Sequence, residues 1–137
     1  MPEIIGIDFG LKRTGIAMSD VNQIIASPLI TIASSNLMDY LSVIIHKHGI
    51  SEIVLGFPSK LNGHESHITP NVLLLKEELE KNFTTIKVFL QDERFTSKIA
   101  SHTISKIGTN KQKKNKGLVD QVSASIILQD FLNGKNS

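Results

Sequence analysis

The sequence predicts a single α/β domain built on a mixed five-stranded sheet with flanking helices. Three short apolar runs separated by turn signals open the chain, the pattern of an antiparallel meander. After them, segments with helical spacing of apolar residues alternate with short apolar strands, as in parallel strands joined by crossover helices. The size agrees: 137 residues, 40% hydrophobic and 20% charged, suit one core and leave no room for a second.

Ile4-Ile5-Gly6-Ile7-Asp8-Phe9 reads as a buried first strand ended by Gly10. Thr14 to Ser19 is the second strand, and residues 19 to 22, Ser-Asp-Val-Asn, are a turn. The third strand takes Ile24-Ile25 and Leu29 to Ile32, with Pro28 making it an edge or a bulge. Leu37, Leu41, Ile44 and Ile45 then recur at helical spacing up to His48, with Ser34 or Ser35 as the expected cap and Gly49 at the C′ position. Glu52 to Phe57 is a strand stopped by Pro58. A polar loop, residues 59 to 67, leads to a helix carrying Val72, Leu75, Leu79 and Phe83 on one face, with Thr69-Pro70 as the expected cap and first position. Ile86 to Leu90 is the fifth strand. A short helix is expected from Thr96 or Ser97 to Ile107, then a mobile basic loop at 109–117, then a last helix from Leu118 to Leu132 with Gly134 beyond it.

Composition excludes several chemistries. With no cysteine there is no disulfide scaffold, thiolate zinc site or cysteine nucleophile. The Met-Pro-Glu start has no basic n-region, Asp8 interrupts the first apolar run, and no run of about 18 apolar residues occurs. A soluble cytoplasmic domain with no membrane partner is therefore expected. Net charge is only +2, but Arg94, Lys98, Lys106, Lys111, Lys113, Lys114 and Lys116 fall in one window without Asp or Glu, which leaves −5 on the remainder. That asymmetry suits an anionic partner on one face, or else a solvated loop.

Three acids are candidates for chemistry. Asp8 shares its strand face with Ile4 and Gly6, where an ionised carboxylate is costly unless a cation or donors meet it; an isolated Asp at a strand end more often caps a turn. Glu93 ends the fifth strand, and because neighbouring strand residues point to opposite faces, Asp92 and Glu93 cannot enter one site together. Asp120 is expected in the first turn of the last helix, where a carboxylate also complements the helix dipole. The small Ser123 and Ala124 one turn later leave space beside it. Acids from a central strand, another strand end and a helix start can meet at one sheet edge, an oxygen cluster that suits Mg2+ or Mn2+ and phosphodiester cleavage. Lys12 and Arg13, in the turn after Asp8, could contact phosphate or be solvated. His46 and His48 lie near a helix end, and His64-x-x-His67 lacks a third ligand, so no zinc site is expected.

Gly6-x-Asp8-x-Gly10-x-Lys12-Arg13-x-Gly15-x-Ala17-x-Ser19-Asp20 resembles the opening signature of the YqgF (RuvX) family, pre-16S rRNA nucleases related to Holliday junction resolvases. Gly56-Phe57-Pro58 with Gly63 resembles the family's Gly-Leu-Pro loop, and residues 92–97, Asp-Glu-Arg-Phe-Thr-Ser, resemble its Asp-Glu-Arg-x-Thr block. Lys116 to Leu132, with Asp120, resembles its closing helix, apart from Ser123-Ala124-Ser125 in place of an Ala-rich run. Related junction resolvases offer another acid where Ser123 stands. The resemblance covers essentially the whole chain and implies an RNase H-like nuclease domain over residues 1–137. It carries the catalytic and metal-binding triad to Asp8, Glu93 and Asp120, with Mg2+ or Mn2+ as cofactor. On that reading Lys12, Arg13, Arg94, Lys111, Lys113, Lys114 and Lys116 hold nucleic acid. The implied substrate is pre-rRNA, within a ribosomal small-subunit precursor, or a DNA junction, and the implied oligomeric state is a monomer or weak homodimer. Two other readings are a non-catalytic RNA-binding assembly factor and an actin-like nucleotide-binding domain. The latter needs two such domains, and this chain supplies one.

Overall fold

The computed structural model describes residues 2–58, 68–93 and 116–136. Five strands form one sheet: β1 (Ile5–Phe9), β2 (Arg13–Ser19), β3 (Ala26–Ala33), β4 (Glu52–Pro58) and β5 (Lys87–Glu93). Their spatial order is β3-β2-β1-β4-β5, antiparallel from β3 to β1 and parallel from β1 to β5, the mixed sheet expected from sequence. Helices α1 (Leu37–His48), α2 (Ile68–Asn82) and α3 (Lys116–Lys135) complete the described elements. The expected helix over 96–107, the loop over 59–67 with His64 and His67, and most of the basic loop at 109–117 lie outside the described residues.

Strand alternation builds a core on each face. Ile5 and Ile7 of β1, with Ile16, Ile53, Leu55 and Val88, pack against Leu37, Leu41 and Ile44 of α1 and Val72, Leu75 and Leu79 of α2. The opposite face, with Ile4, Ala17 and Val54, is covered by Ala124, Ile127, Leu128 and Leu132 of α3. Phe89 and Phe131 extend that packing with ring centroids 5.2 Å apart.

Several boundaries differ from the sequence expectation. Ile24 and Ile25 are exposed and lie in the β2–β3 turn, where both of their amides donate to Asp20 Oδ1 at 2.7 and 2.9 Å. Gln23 adopts φ 58° there and its Nε2 donates to the Pro2 carbonyl at 2.9 Å. The strand begins instead at Ala26, where Gln129 of α3 accepts from the Ala26 amide and donates to the Ile24 carbonyl. Pro28 does sit on an edge strand beside a bulge: Ile16 pairs with Ile30 and Ala17 with Pro28, so Leu29 is left over.

Helix α1 runs as predicted and ends at Gly49 with φ 64°, but neither Ser34 nor Ser35 caps it. Residues 34–36 form a 3-10 turn, and Asn36 precedes the helix without a side-chain cap bond. The Ser34 hydroxyl is taken up elsewhere, by the Gly10 carbonyl and by Thr14 Oγ1 at 2.8 Å. Helix α2 already includes Thr69 and Pro70, starting at Ile68. Helix α3 is longer at both ends than expected. At its start the Thr31 hydroxyl donates to the Gly117 carbonyl. At its end Lys135 pairs with Glu52 at 3.0 Å and Asn136 donates to the Gln23 carbonyl, so Gly134 lies inside the helix.

Candidate active site

The site lies at one end of the sheet face covered by α3. Asp8 follows Gly6 on that face of β1, the central strand, and is paired across the sheet with Gly15 of β2. Glu93 is the last residue of β5, opposite Pro58 of β4. The two acids therefore stand on strands separated by β4, a spacing near 10 Å between backbones. Gly56 of β4 removes the obstacle between them: a Cβ there would lie 3.1 Å from Glu93 Oε2 and 2.5 Å from Ile127 Cδ1. Over this bare backbone the carboxyl of Glu93 reaches hydrogen-bonding range of Asp8.

Burial pushes the Asp8 carboxyl well above its usual value, and the negative charges of Glu93 and Asp120 push it the same way. Burial also raises Glu93, against which the hydrogen bond from Asp8 acts. Burial and mutual repulsion thus push the two carboxyls, as a coupled pair, toward holding a proton above the ordinary carboxylate range.

Helix α3 delivers the third acid. At Gly15 a Cβ would stand 2.7 Å from the Gln121 amide nitrogen and closer still to the Asp120 carbonyl, so the helix backbone rests directly on β2 beside Asp8. Asp120 is the fifth residue of the helix, not in the first turn, because α3 starts at Lys116. Dipole complementation, which falls off within the first turn, is accordingly not what holds it there. Its carboxylate is held by Arg13, the first residue of β2, whose Nε donates to Oδ2. Burial raises the Asp120 carboxyl and the Arg13 guanidinium opposes that rise. Ser123 follows one turn later, fully buried, its hydroxyl without a hydrogen-bond partner among the described residues.

The expected residues are thus separated into two groups. Asp8 and Glu93 meet, Asp120 stands close enough to raise Asp8, and Arg13 binds Asp120. Asp92 occupies the alternate strand position, on the opposite face from Glu93. Lys12 is exposed in the turn before β2, its carbonyl accepting from the Ser34 amide at 3.0 Å. Arg94, Lys111, Lys113 and Lys114 lie outside the described residues, and Lys116 opens α3. Among the described residues no group of three acidic or histidine side chains converges to hold a metal ion. Sequence reasoning missed the Arg13–Asp120 pair and the way Ser34 and Thr14 pin the turn before it. The small residues Gly15 and Gly56 were the available signal.

This arrangement has known relatives. By structure, the chain is similar to Thermus thermophilus RuvC in complex with a Holliday junction substrate, with a TM-score of 0.60 at 12% identity over 100% of this chain and 97% of that one. A further Thermus thermophilus RuvC structure gives 0.56 at 10% identity. At such identities the likeness establishes the fold, which is RNase H-like. By sequence, the chain is 43% identical to a protein of Flavobacterium johnsoniae and 39% identical to one of Bacteroides thetaiotaomicron, each over 98% of this chain and 99% of the relative. Both relatives carry the name "Putative pre-16S rRNA nuclease". The family model described as RuvX, Holliday junction resolvase, matches residues 2–134, and with that match the chain belongs to the RuvX family.

Proposed function

We propose that this chain is a divalent-metal-dependent endonuclease that cleaves phosphodiester bonds of structured RNA, with the pre-16S rRNA precursor as its substrate. The observation that carries the reading is the Asp8–Glu93 pair, two half-buried carboxyls brought together over Gly56, with Asp120 on the adjoining helix. A protonated carboxyl pair in a poorly solvated place is what a hard-cation site becomes when the proton stands in for the cation. The donors present fit such an ion: they are all oxygens, and the buried Ser123 hydroxyl adds one that has no partner among the described residues. Asp8, Glu93 and Asp120 would hold Mg2+ or Mn2+. Once bound, such an ion supplies Lewis-acid polarisation of the phosphate and lowers the pKa of water.

The chain's own residues do the remainder. Asp8 would have to be deprotonated to hold the ion, and its position on the central strand fixes the site against the sheet. Glu93 ends its strand and leans across β4 over Gly56, which brings its carboxylate toward Asp8. Lys12 and Arg13, at the rim, together with Arg94, Lys111, Lys113, Lys114 and Lys116, hold backbone phosphates and read no base sequence.

The family description supports a second reading, a resolvase acting on four-way DNA junctions. Purified protein incubated with an rRNA precursor and with a four-way DNA junction, each with Mn2+, Mg2+ or chelator, separates the two. Metal-dependent cleavage of the precursor is expected. It should be abolished in Glu93→Gln with the fold intact, whereas Asp92→Asn should retain it. Cleavage of the junction alone would favour the resolvase, and precursor binding without hydrolysis would favour an assembly factor.

A further inference from the structure

Asp120 does not complete an oxygen cluster with Asp8 and Glu93; its carboxylate is engaged by the Arg13 guanidinium. The backbone on both sides of this ion pair is fixed. Arg13 opens β2 and pairs with Ala33 of β3. The Asp120 carbonyl lies on Gly15, itself paired with Asp8. The helix cannot come closer to the sheet, so Asp120 can approach the other acids only by rotation of its side chain. Rotation breaks the bond from Arg13 Nε to Asp120 Oδ2. Arg13 has a way out, since its side chain is 42% exposed against 21% for Asp120. A guanidinium makes charge-assisted bonds of comparable kind to carboxylate and to phosphate, so an incoming phosphate can exchange for Asp120 at small net cost.

We propose that Arg13 is a positioning residue that couples nucleic-acid binding to cation binding. In the nucleic-acid-free chain it occupies Asp120 as a resident cation. A backbone phosphate draws the guanidinium away and frees the Asp120 carboxylate to join Asp8 and Glu93. The inference rests on the nuclease reading of this site. Its consequence is reciprocal: nucleic acid tightens cation binding, and a cation tightens nucleic-acid binding, through the same side chain.

The test is Mn2+ affinity of the full chain by calorimetry, with and without a single-stranded RNA oligonucleotide, whose phosphates remain present whether or not it is cut. In the absence of RNA, Arg13→Gln should bind Mn2+ about tenfold more tightly than wild type, a coupling of ordinary size. Lys12→Gln removes the same charge one residue away without touching Asp120, and should change the affinity little. Arg13→Lys keeps a positive charge beside Asp120 and should bind Mn2+ less tightly than Arg13→Gln does. The gain in Arg13→Gln should vanish when Asp120→Asn is added, as for two members of one interaction. RNA should tighten Mn2+ binding more in wild type than in Arg13→Gln. An Arg13→Gln affinity equal to that of wild type or of Lys12→Gln would overturn the proposal, as would a gain that survives Asp120→Asn. In those cases the cation site itself would still stand, provided Asp8→Asn abolishes Mn2+ binding. Mn2+ binding undiminished in Asp8→Asn would overturn the nuclease site and this inference together. Far-UV circular dichroism of each variant confirms that the comparison is between folded chains.

Discussion

At the scale of single residues, the cost of assembling this site falls on Asp8. Its carboxyl is raised by burial first and by Glu93 and Asp120 next, so the folded chain binds its proton more tightly than the unfolded chain does. Stability of the metal-free protein is therefore lost as pH rises from the ordinary carboxylate value through the raised one, and is regained on acidification through the same window. Asp8→Asn removes both the charge and the repulsion. Its metal-free form should melt no lower than metal-free wild type at neutral pH, and this part of the pH dependence should flatten. Mn2+ should raise the melting temperature of wild type by ligand linkage and leave the variant unmoved. A structural Asp8 that merely capped a turn predicts the reverse, a loss on the order of 1 kcal/mol with the metal response intact. Thermal melts of both proteins, with and without Mn2+, across pH 4 to 8 (a range of about four units spanning the carboxylate and neutral regions), separate the two roles.

At the scale of elements, two glycines decide how closely α3 and β5 approach β1, and they should differ in what they tolerate. Gly15→Ala sets a methyl against the backbone of Asp120 and Gln121, which cannot yield without lifting the helix from the sheet. It should destabilise the chain by about 1–3 kcal/mol or more and displace Asp120. Gly56→Ala meets the far end of the Ile127 side chain and one oxygen of Glu93, both able to swing aside. It should cost less stability in a denaturant titration while still separating Glu93 from Asp8. The elements themselves were largely legible in the sequence. The helical period and Gly49 located α1 to the residue, and strand alternation separated Glu93 from Asp92. The errors arose where tertiary contacts override local pattern. Ile24 and Ile25 look like strand, but Asp20 folds them into a turn; Gly117 and Gly134 look like helix boundaries, but Thr31, Lys135 and Asn136 hold the flanking turns in the helix. Ser34 reads as a cap until Gly10 and Thr14 claim its hydroxyl. The Arg13–Asp120 pair spans 107 positions of sequence, and nothing local announces it.

At the scale of the whole molecule, charge is divided along the chain: seven of its fifteen basic residues fall between Arg94 and Lys116, with no acid among them. The described site, by contrast, is acidic in its centre and carries Lys12 and Arg13 at its rim. On the proposed reading, the basic segment would bring a polyanion up to carboxylates that would otherwise repel it. Each phosphate bound by a cation releases condensed counterions, so the contribution of the segment is readable in the salt dependence of binding and needs no knowledge of where each lysine sits. Changing Lys111, Lys113, Lys114 and Lys116 together to Gln should weaken RNA binding uniformly across sequences. On single strands it should also flatten the log–log dependence of affinity on salt, by about 0.7 for each phosphate no longer neutralised. Lys12→Gln, which alters a single rim position, should flatten it by no more than one phosphate's worth. Fluorescence anisotropy across a salt series, in chelator so that cleavage does not intervene, measures both slopes. A fourfold variant with an unchanged slope would mean that these lysines are solvated and that the rim alone holds the substrate.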